Sequence, residues 1–272
     1  MVSFSRRQFM GVSVSGAAMG LAGCNVLGGS DDVEYEGWLA ADLVQDIEEG
    51  AVIHVDVQEL ISNWPDEAQE EIDLEEFRQE FGVDEADLDG MVIFEEGGGM
   101  MASEQIVLTG SFDPDAIIDN LDIPEDFIED DAEYEGYQVL MDEFAIGDDA
   151  IILSGSYETL IDAHNGEAEL ITEVDEMWEA ALANVAGAGL SGVGIDDSED
   201  AELLGVAMDA DGDEVDIEMY GHFESEAAAE DGREEIEAEI EGDIEEDGGE
   251  IESVDVDDTV VIVEATIPDF SW

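Results

Sequence analysis

The sequence predicts an α+β fold made of two β-β-α-β-β units, with antiparallel sheets carrying helices packed on one face. Three observations lead there. Short runs of alternating apolar and polar residues are bounded by Gly, Asp and Asn, as half-buried strands are. Between them lie stretches with apolar residues at helical spacing, opened by Asp, Ser or Pro. The order of elements also recurs: Gly110-Ser111-Phe112-Asp113-Pro114-Asp115-Ala116 corresponds to Gly221-His222-Phe223-Glu224-Ser225-Glu226-Ala227, and Ala150-Ile151-Ile152-Leu153 to Val260-Val261-Ile262-Val263. This divides the chain into residues 1–23, a tether at 24–33, a first unit at 34–168 and a second at 169–272.

In chain order, residues 51–57 alternate, with Ile53, Val55 and Val57 on one face and Val52, His54 and Asp56 on a second, more polar face. Trp64-Pro65 opens a helix, because Pro is tolerated at the first helical position. Leu74, Phe77 and Phe81 continue a helical face. Residues 90–95 and 105–112 form a hairpin around Gly97-Gly98-Gly99-Met100-Met101. Asp113-Pro114 caps a helix over 115–121. Strands follow at 137–141 and 144–154, the second turning at Gly147-Asp148-Asp149. Ser156 opens a helix that runs to His164 and is stopped by Gly166. Residues 174–186 form a helix with Met177, Trp178, Ala181, Leu182 and Val185 inward, and 189–195 a strand. Strands 203–208 and 215–223 are a hairpin with its turn at Asp211-Gly212. A helix over 224–240 precedes paired strands at 251–256 and 259–267. Trp38, Trp64 and Trp178 are expected to pack in or beside the core.

Charge sets the solvent. The chain has 79 Asp and Glu against 4 Lys and Arg, a formal net charge of −75, with 44% hydrophobic residues. Such an imbalance usually means disorder, but the apolar residues here are patterned and suffice for packed domains. On a compact surface of about 11,000 Å² the carboxylates lie on the order of 12 Å apart. Each neighbouring pair then repels by roughly 0.35 kcal/mol in unscreened water. Summed over first neighbours this reaches ~80 kcal/mol, falls to ~20 at a Debye length of about 8 Å, and to one or two in about 1 M salt. Only the last leaves a typical stability of about 5–15 kcal/mol intact. Nucleic-acid binding is excluded as a function class, because phosphate neutralisation needs Lys and Arg in numbers.

The N-terminus carries an address. Ser5-Arg6-Arg7-Gln8-Phe9-Met10 precedes a mild apolar run to Ala22, and Leu21-Ala22-Gly23-Cys24 closes it. The run is shorter than the roughly 20 apolar residues a spanning helix needs, so it is expected to be removed. Cys24 is the sole cysteine, which leaves the exported chain with no disulfide. These residues resemble the export signal of twin-arginine lipoproteins. The resemblance implies Arg6 and Arg7 as the export signal, read by the twin-arginine machinery. It also implies Cys24 as the lipid-attachment residue, tethering the protein at the outer face of the cytoplasmic membrane. Near-absence of Lys with abundant Asp and Glu resembles proteins of extreme halophiles, notably haloarchaea. The body, through Tyr134-Glu135-Gly136-Tyr137, Phe144-Ala145-Ile146-Gly147-Asp148-Asp149, Ile151-Ile152-Leu153-Ser154-Gly155-Ser156 and Asp162-Ala163-His164, is similar to a broad class of exported bacterial and archaeal proteins without settled activity. That likeness implies architecture only.

Candidate chemistry is sparse. Asp209-Ala210-Asp211-Gly212-Asp213 begins like a calcium loop, but Glu214 stands where Gly is required and Tyr220 where Glu is. A plain hairpin turn is expected there. Of the three histidines, His54 shares a strand face with Asp56, which could serve acid–base or metal chemistry. The plainer reading is a surface or edge-strand histidine. His164 ends a helix, and His222 sits where the other unit has Ser111. Paired carboxylates carry no information among 79 acids. No catalytic residue, metal site or cofactor is expected. The expected role is that of a lipid-anchored surface protein acting by interaction or structure on a surface protein or solute. The alternatives are a solute-binding receptor for a transporter and, behind it, an exported hydrolase using His54 and Asp56.

Overall fold

The computed structural model describes residues 35–45, 47, 50–65, 81–96, 103–121, 133–141, 144–195, 201–212, 214–246 and 248–268. The segment at 1–23, the tether, Cys24, Arg6, Arg7, the glycine-methionine loop at 97–101 and most of the expected helix at 74–81 lie outside them; Phe81 is helical and buried.

The fold is α+β with one large antiparallel sheet. Its strands are β1 (Gly50–Asp56), β2 (Leu88–Glu96), β3 (Ser103–Gly110), β4 (Glu133–Tyr134), β5 (Tyr137–Leu140), β6 (Phe144–Ile146), β7 (Ala150–Leu153), β8 (Leu190–Ile195), β9 (Leu203–Asp211), β10 (Glu214–His222), β11 (Glu250–Asp257) and β12 (Val260–Ile267). The helices are α1 (Ala41–Val44), α2 (Val57–Asn63), α3 (Pro114–Asn120), α4 (Tyr157–His164), α5 (Ile171–Val174), α6 (Glu176–Val185) and α7 (Glu226–Glu246). The strands join as β11-β12-β10-β9-β8-β1-β2-β3-β7-β6-β5-β4. At the centre β1 pairs antiparallel with β8, Ile53 opposite Gly192 and His54 opposite Ser191. Read outward from this pair, the first five strands on each side follow the same order: β1-β2-β3-β7-β6 and β8-β9-β10-β12-β11. The ends of β3 and β10 are also tied alike. Phe112 N–H donates to the Asp148 carbonyl at 2.8 Å and Phe223 N–H to that of Thr259 at 2.9 Å.

One expectation is corrected. The helices pack on both faces of a single continuous sheet, not on one face. On the first face Ile53, Val55, Met91, Ile93, Leu108 and Ile151 meet Leu60 of α2 and Ile117 of α3. On the second, Val52, Val92, Phe94, Val107, Ile152 and Val193 meet Trp38, Leu39, Leu160 of α4 and Trp178 and Leu182 of α6. Helix α7 lies on the first face, since Val263, Ala265 and Ile267 beneath it stand opposite Met219, Ile217 and Val215 in the ladder. The physical reason is that the central strands are apolar on both sides, so either face left open would expose a core. His54 and Asp56 had made one face of β1 look solvated. The three tryptophans expected in the core are there, Trp38, Trp64 and Trp178 all being buried.

Local chemistry starts the helices. Asp56 Oδ1 accepts the Glu59 N–H at 2.8 Å and caps α2, and Asp113 Oδ1 accepts from Ala116 at 3.3 Å ahead of Pro114. Asp175 Oδ1 accepts from Met177 and Trp178 at 2.9 and 3.2 Å and opens α6. Ser156 is the N-cap residue of α4 but makes no side-chain cap bond; its N–H donates to Ser154 Oγ instead. Helix α7 runs beyond the expected end at residue 240 to Glu246, because Ala229, Ile236, Ile240 and Ile244 keep one apolar stripe on β12. Gly232 sits mid-helix because a β-carbon there would come within 2.5 Å of the Phe223 ring.

Candidate functional site

The residues that follow the tether form the most chemically furnished part of the described molecule. A 3-10 turn, Glu36–Trp38, leads into α1, and the segment is sewn onto the second face. Ala41 N–H donates to the Glu169 carbonyl and Ile171 N–H to that of Leu39, each at 2.9 Å, around a bridge between Ala40 and Leu170. The Thr172 hydroxyl donates to Glu36 Oε1. Both aromatic side chains of this segment lie flat on a histidine. The Tyr35 ring stacks on His54 at 4.2 Å and 15°, and the Trp38 ring on His164 at 4.0 Å and 6°.

The His54 seat is built by the central strands. His54 stands opposite Ser191 of β8 and Val92 of β2. The Tyr35 hydroxyl lies 3.5 Å from Ser191 Oγ, at the outer limit of a hydrogen bond. Gly90 makes room for the imidazole: a β-carbon there would come to 3.3 Å from His54 Nε2 and 3.1 Å from Thr109 Oγ1. Burial pushes His54 down to about 4, against the opposing pull of Asp56. The imidazole is therefore neutral near pH 7. Burial likewise pushes the Tyr35 phenol up to about 12, against a smaller opposing effect of Ser191. The expectation of a surface or edge-strand histidine is corrected, since β1 is central and Tyr35 covers the ring.

His164 is arranged differently. Its Nε2 lies 3.0 Å from Asp149 Oδ2, and the Tyr137 hydroxyl donates to Asp149 Oδ1 at 2.7 Å. A third of its side chain is exposed. Burial first, then the bond to Asp149, raises the Tyr137 phenol above its ordinary range. His222 is buried in the other half, with Asn184 Nδ2 3.4 Å from its Nε2, and burial lowers it. Each histidine thus has its own neighbours, and the structure does not bring the three together.

A carboxyl pair closes the seam between β1 and β8. Asp209 Oδ1 accepts the Gly189 N–H at 2.8 Å. The Glu59 carboxyl lies over the same glycine, its Oε1 3.0 Å from where a β-carbon would stand. Burial, the Asp209 charge and the bond between the two carboxyls raise Glu59 to about 7. The loop beginning at Asp209 is a hairpin turn, as expected, with Asp211 opposite Glu214 and Gly212 at φ 72°. Among the described residues no group of three or more His, Cys, Asp or Glu side chains could hold a metal ion. No helix there is long and apolar enough to cross a membrane.

Sequence reasoning singled out His54 and Asp56, named Asp209 only as the start of a calcium-like stretch, and missed Tyr35, Gly90, Ser191 and Glu59. The usable signal was the pair Tyr35 and Trp38 directly after a polar tether. Against known proteins, no family model and no curated protein matches the chain. Two solved structures of TP0453 are similar. Crystal form III shares 9% identity at a TM-score of 0.47, covering 85% of this chain and 94% of that one. Crystal form I shares 10% identity at 0.47, covering 89% and 94%. At that identity and score the likeness says nothing of activity.

Proposed function

We propose that the chain is a lipid-anchored surface protein of a high-salt milieu, held at the outer face of the cytoplasmic membrane through Cys24 after twin-arginine export. Its role on this reading is interaction or structure, without catalysis, and its solvent is that of a halophile such as a haloarchaeon. The observation that carries it is the join between address and body. Soon after the lipobox cysteine the chain seats Tyr35, Trp38 and Leu39 in the core, all at most 5% exposed. A segment so placed passes force from an anchor directly into the sheet. The common strand order on the two sides of β1–β8 supports reading residues 34–168 and 169–272 as copies of one unit.

The β1–β8 ladder favours this reading over a two-lobed solute receptor, because a continuous strand pair runs where a cleft between the halves would lie. The Tyr35 ring over His54 weighs in the same direction against a hydrolase built on that residue. Replacement Cys24→Ser is expected to release the exported protein from membranes into the medium. Retention of the variant in the membrane fraction would overturn the anchor.

A further inference from the structure

We propose that Tyr35 is an acid-released clasp: protonation of His54 unseats the Tyr35 ring from the centre of the sheet, while Trp38 stays pinned on His164. The two stacks are built from the same pair of ring types but sit in opposite electrostatic settings. Among the described residues, the groups facing His54 are Tyr35 from the N-terminal segment, Asp56 from its own strand, Gly90 and Val92 from β2, Thr109 from β3 and Ser191 from β8. Asp56 is the one carboxylate in that set, and its Oδ1 is already committed to the cap of α2. An imidazolium formed under Tyr35 would be a buried charge with one partial partner, which is costly unless the lid lifts and water enters. His164 is partly exposed and bonded to Asp149, whose second oxygen is held by Tyr137. Acid therefore loosens the Tyr35 end of the segment, while the Trp38 end stays stacked on a histidine already bonded to Asp149.

The sign and size follow from His54. Its proton affinity is lower when covered than in the open, so closure is fully favoured above pH 6.5 and is lost as pH falls through about 4. The open fraction relative to closed is expected to rise by roughly 300-fold across that window. Opening frees the Tyr35 side chain ahead of the Glu36–Trp38 turn, which Thr172 and His164 still hold, and uncovers Ser191 and His54 on the central strands. The clasp itself does not depend on the lipid anchor; only the added slack in the tether rests on that reading.

The test is fluorine NMR of the full chain carrying 3-fluorotyrosine in about 3 M NaCl, with the Tyr35 resonance assigned through Tyr35→Phe. Lowering the pH from 7 to 4 should move Tyr35 to a solvent-exposed shift while buried Tyr220 stays in place. His54→Gln should leave Tyr35 seated throughout. Asp56→Asn, which keeps an N-cap side chain but removes the one partial partner of the covered imidazolium, should raise the open fraction of Tyr35 at pH 4 above that of the wild type. A Tyr35 signal that never moves, that moves only together with Tyr220, or that responds identically in wild type and Asp56→Asn overturns the proposal. Failure of Cys24→Ser to leave the membrane would leave this result untouched.

Discussion

Glu59 carries a pH dependence of its own. Folding raises its proton affinity from an ordinary 4.5 to about 7, through burial first and then through Asp209 and Asp56. A raised value means the folded state holds the proton more tightly. Its contribution is therefore complete below pH 4.5 and is lost as pH rises through about 7. The thermal midpoint should fall between pH 6 and 8, and Glu59→Gln should remove that limb, because the amide can donate to Asp209 at every pH. An equal slope in wild type and variant would sink the shared-proton account. His54 works in the reverse direction and weakens the fold on the acid side. The two opposing contributions put the best stability at mildly acidic pH, between about 4.5 and 6.5. Nothing in the sequence separates Glu59 from the other 78 acids. Only the approach of α2 to β9 over Gly189 makes it distinct. His54 and Asp56 were legible as one strand face, because the period of two places them there whatever the fold.

Elements were more legible than their ends. Caps are local chemistry, so Asp113-Pro114 announced α3 and the Asp-Gly turn announced the β9–β10 hairpin. Asp175 was the less obvious one. It lies inside a stretch read as a single helix over 174–186, whereas the chain breaks there into α5 and α6, with Asp175 extended between them. Its carboxylate satisfies two otherwise orphaned N–H groups, so Asp175→Ala should cost about 1 kcal/mol, read as a lower denaturant midpoint with unchanged slope. No change in the midpoint would mean that water serves those donors equally well. The sheet's edges also follow from local features. Strand β4 has two residues, and β11 exposes Glu250, Glu252, Asp255 and Asp257 and carries a bulge near Ser253. A short strand and an acidic, bulged one both discourage pairing with another chain.

For the whole molecule the governing quantity is charge. With a formal −75 on a folded body, transfer from molar salt to about 0.1 M is expected to abolish most of the folded circular dichroism signal as the screening length grows. An unchanged spectrum would contradict the repulsion argument. Fold class and most of the strands could be read from the chain because they depend on periods of 2 and 3.6 residues, which are local properties; the two-residue β4 is too short to show such a period. Whether two units made two sheets or one could not be read. That depended on β1 and β8, one from each half, finding one another across more than a hundred residues of chain. The same long-range pairing buried β1 on both sides, drew helices to both faces and set Ser191 beside His54. Through that pairing Tyr35 found a seat formed jointly by the two halves. Patterns along the chain report which side of a strand is apolar; which strand lies beside it, and what covers the pair, is decided only when distant segments compete for the same buried surface.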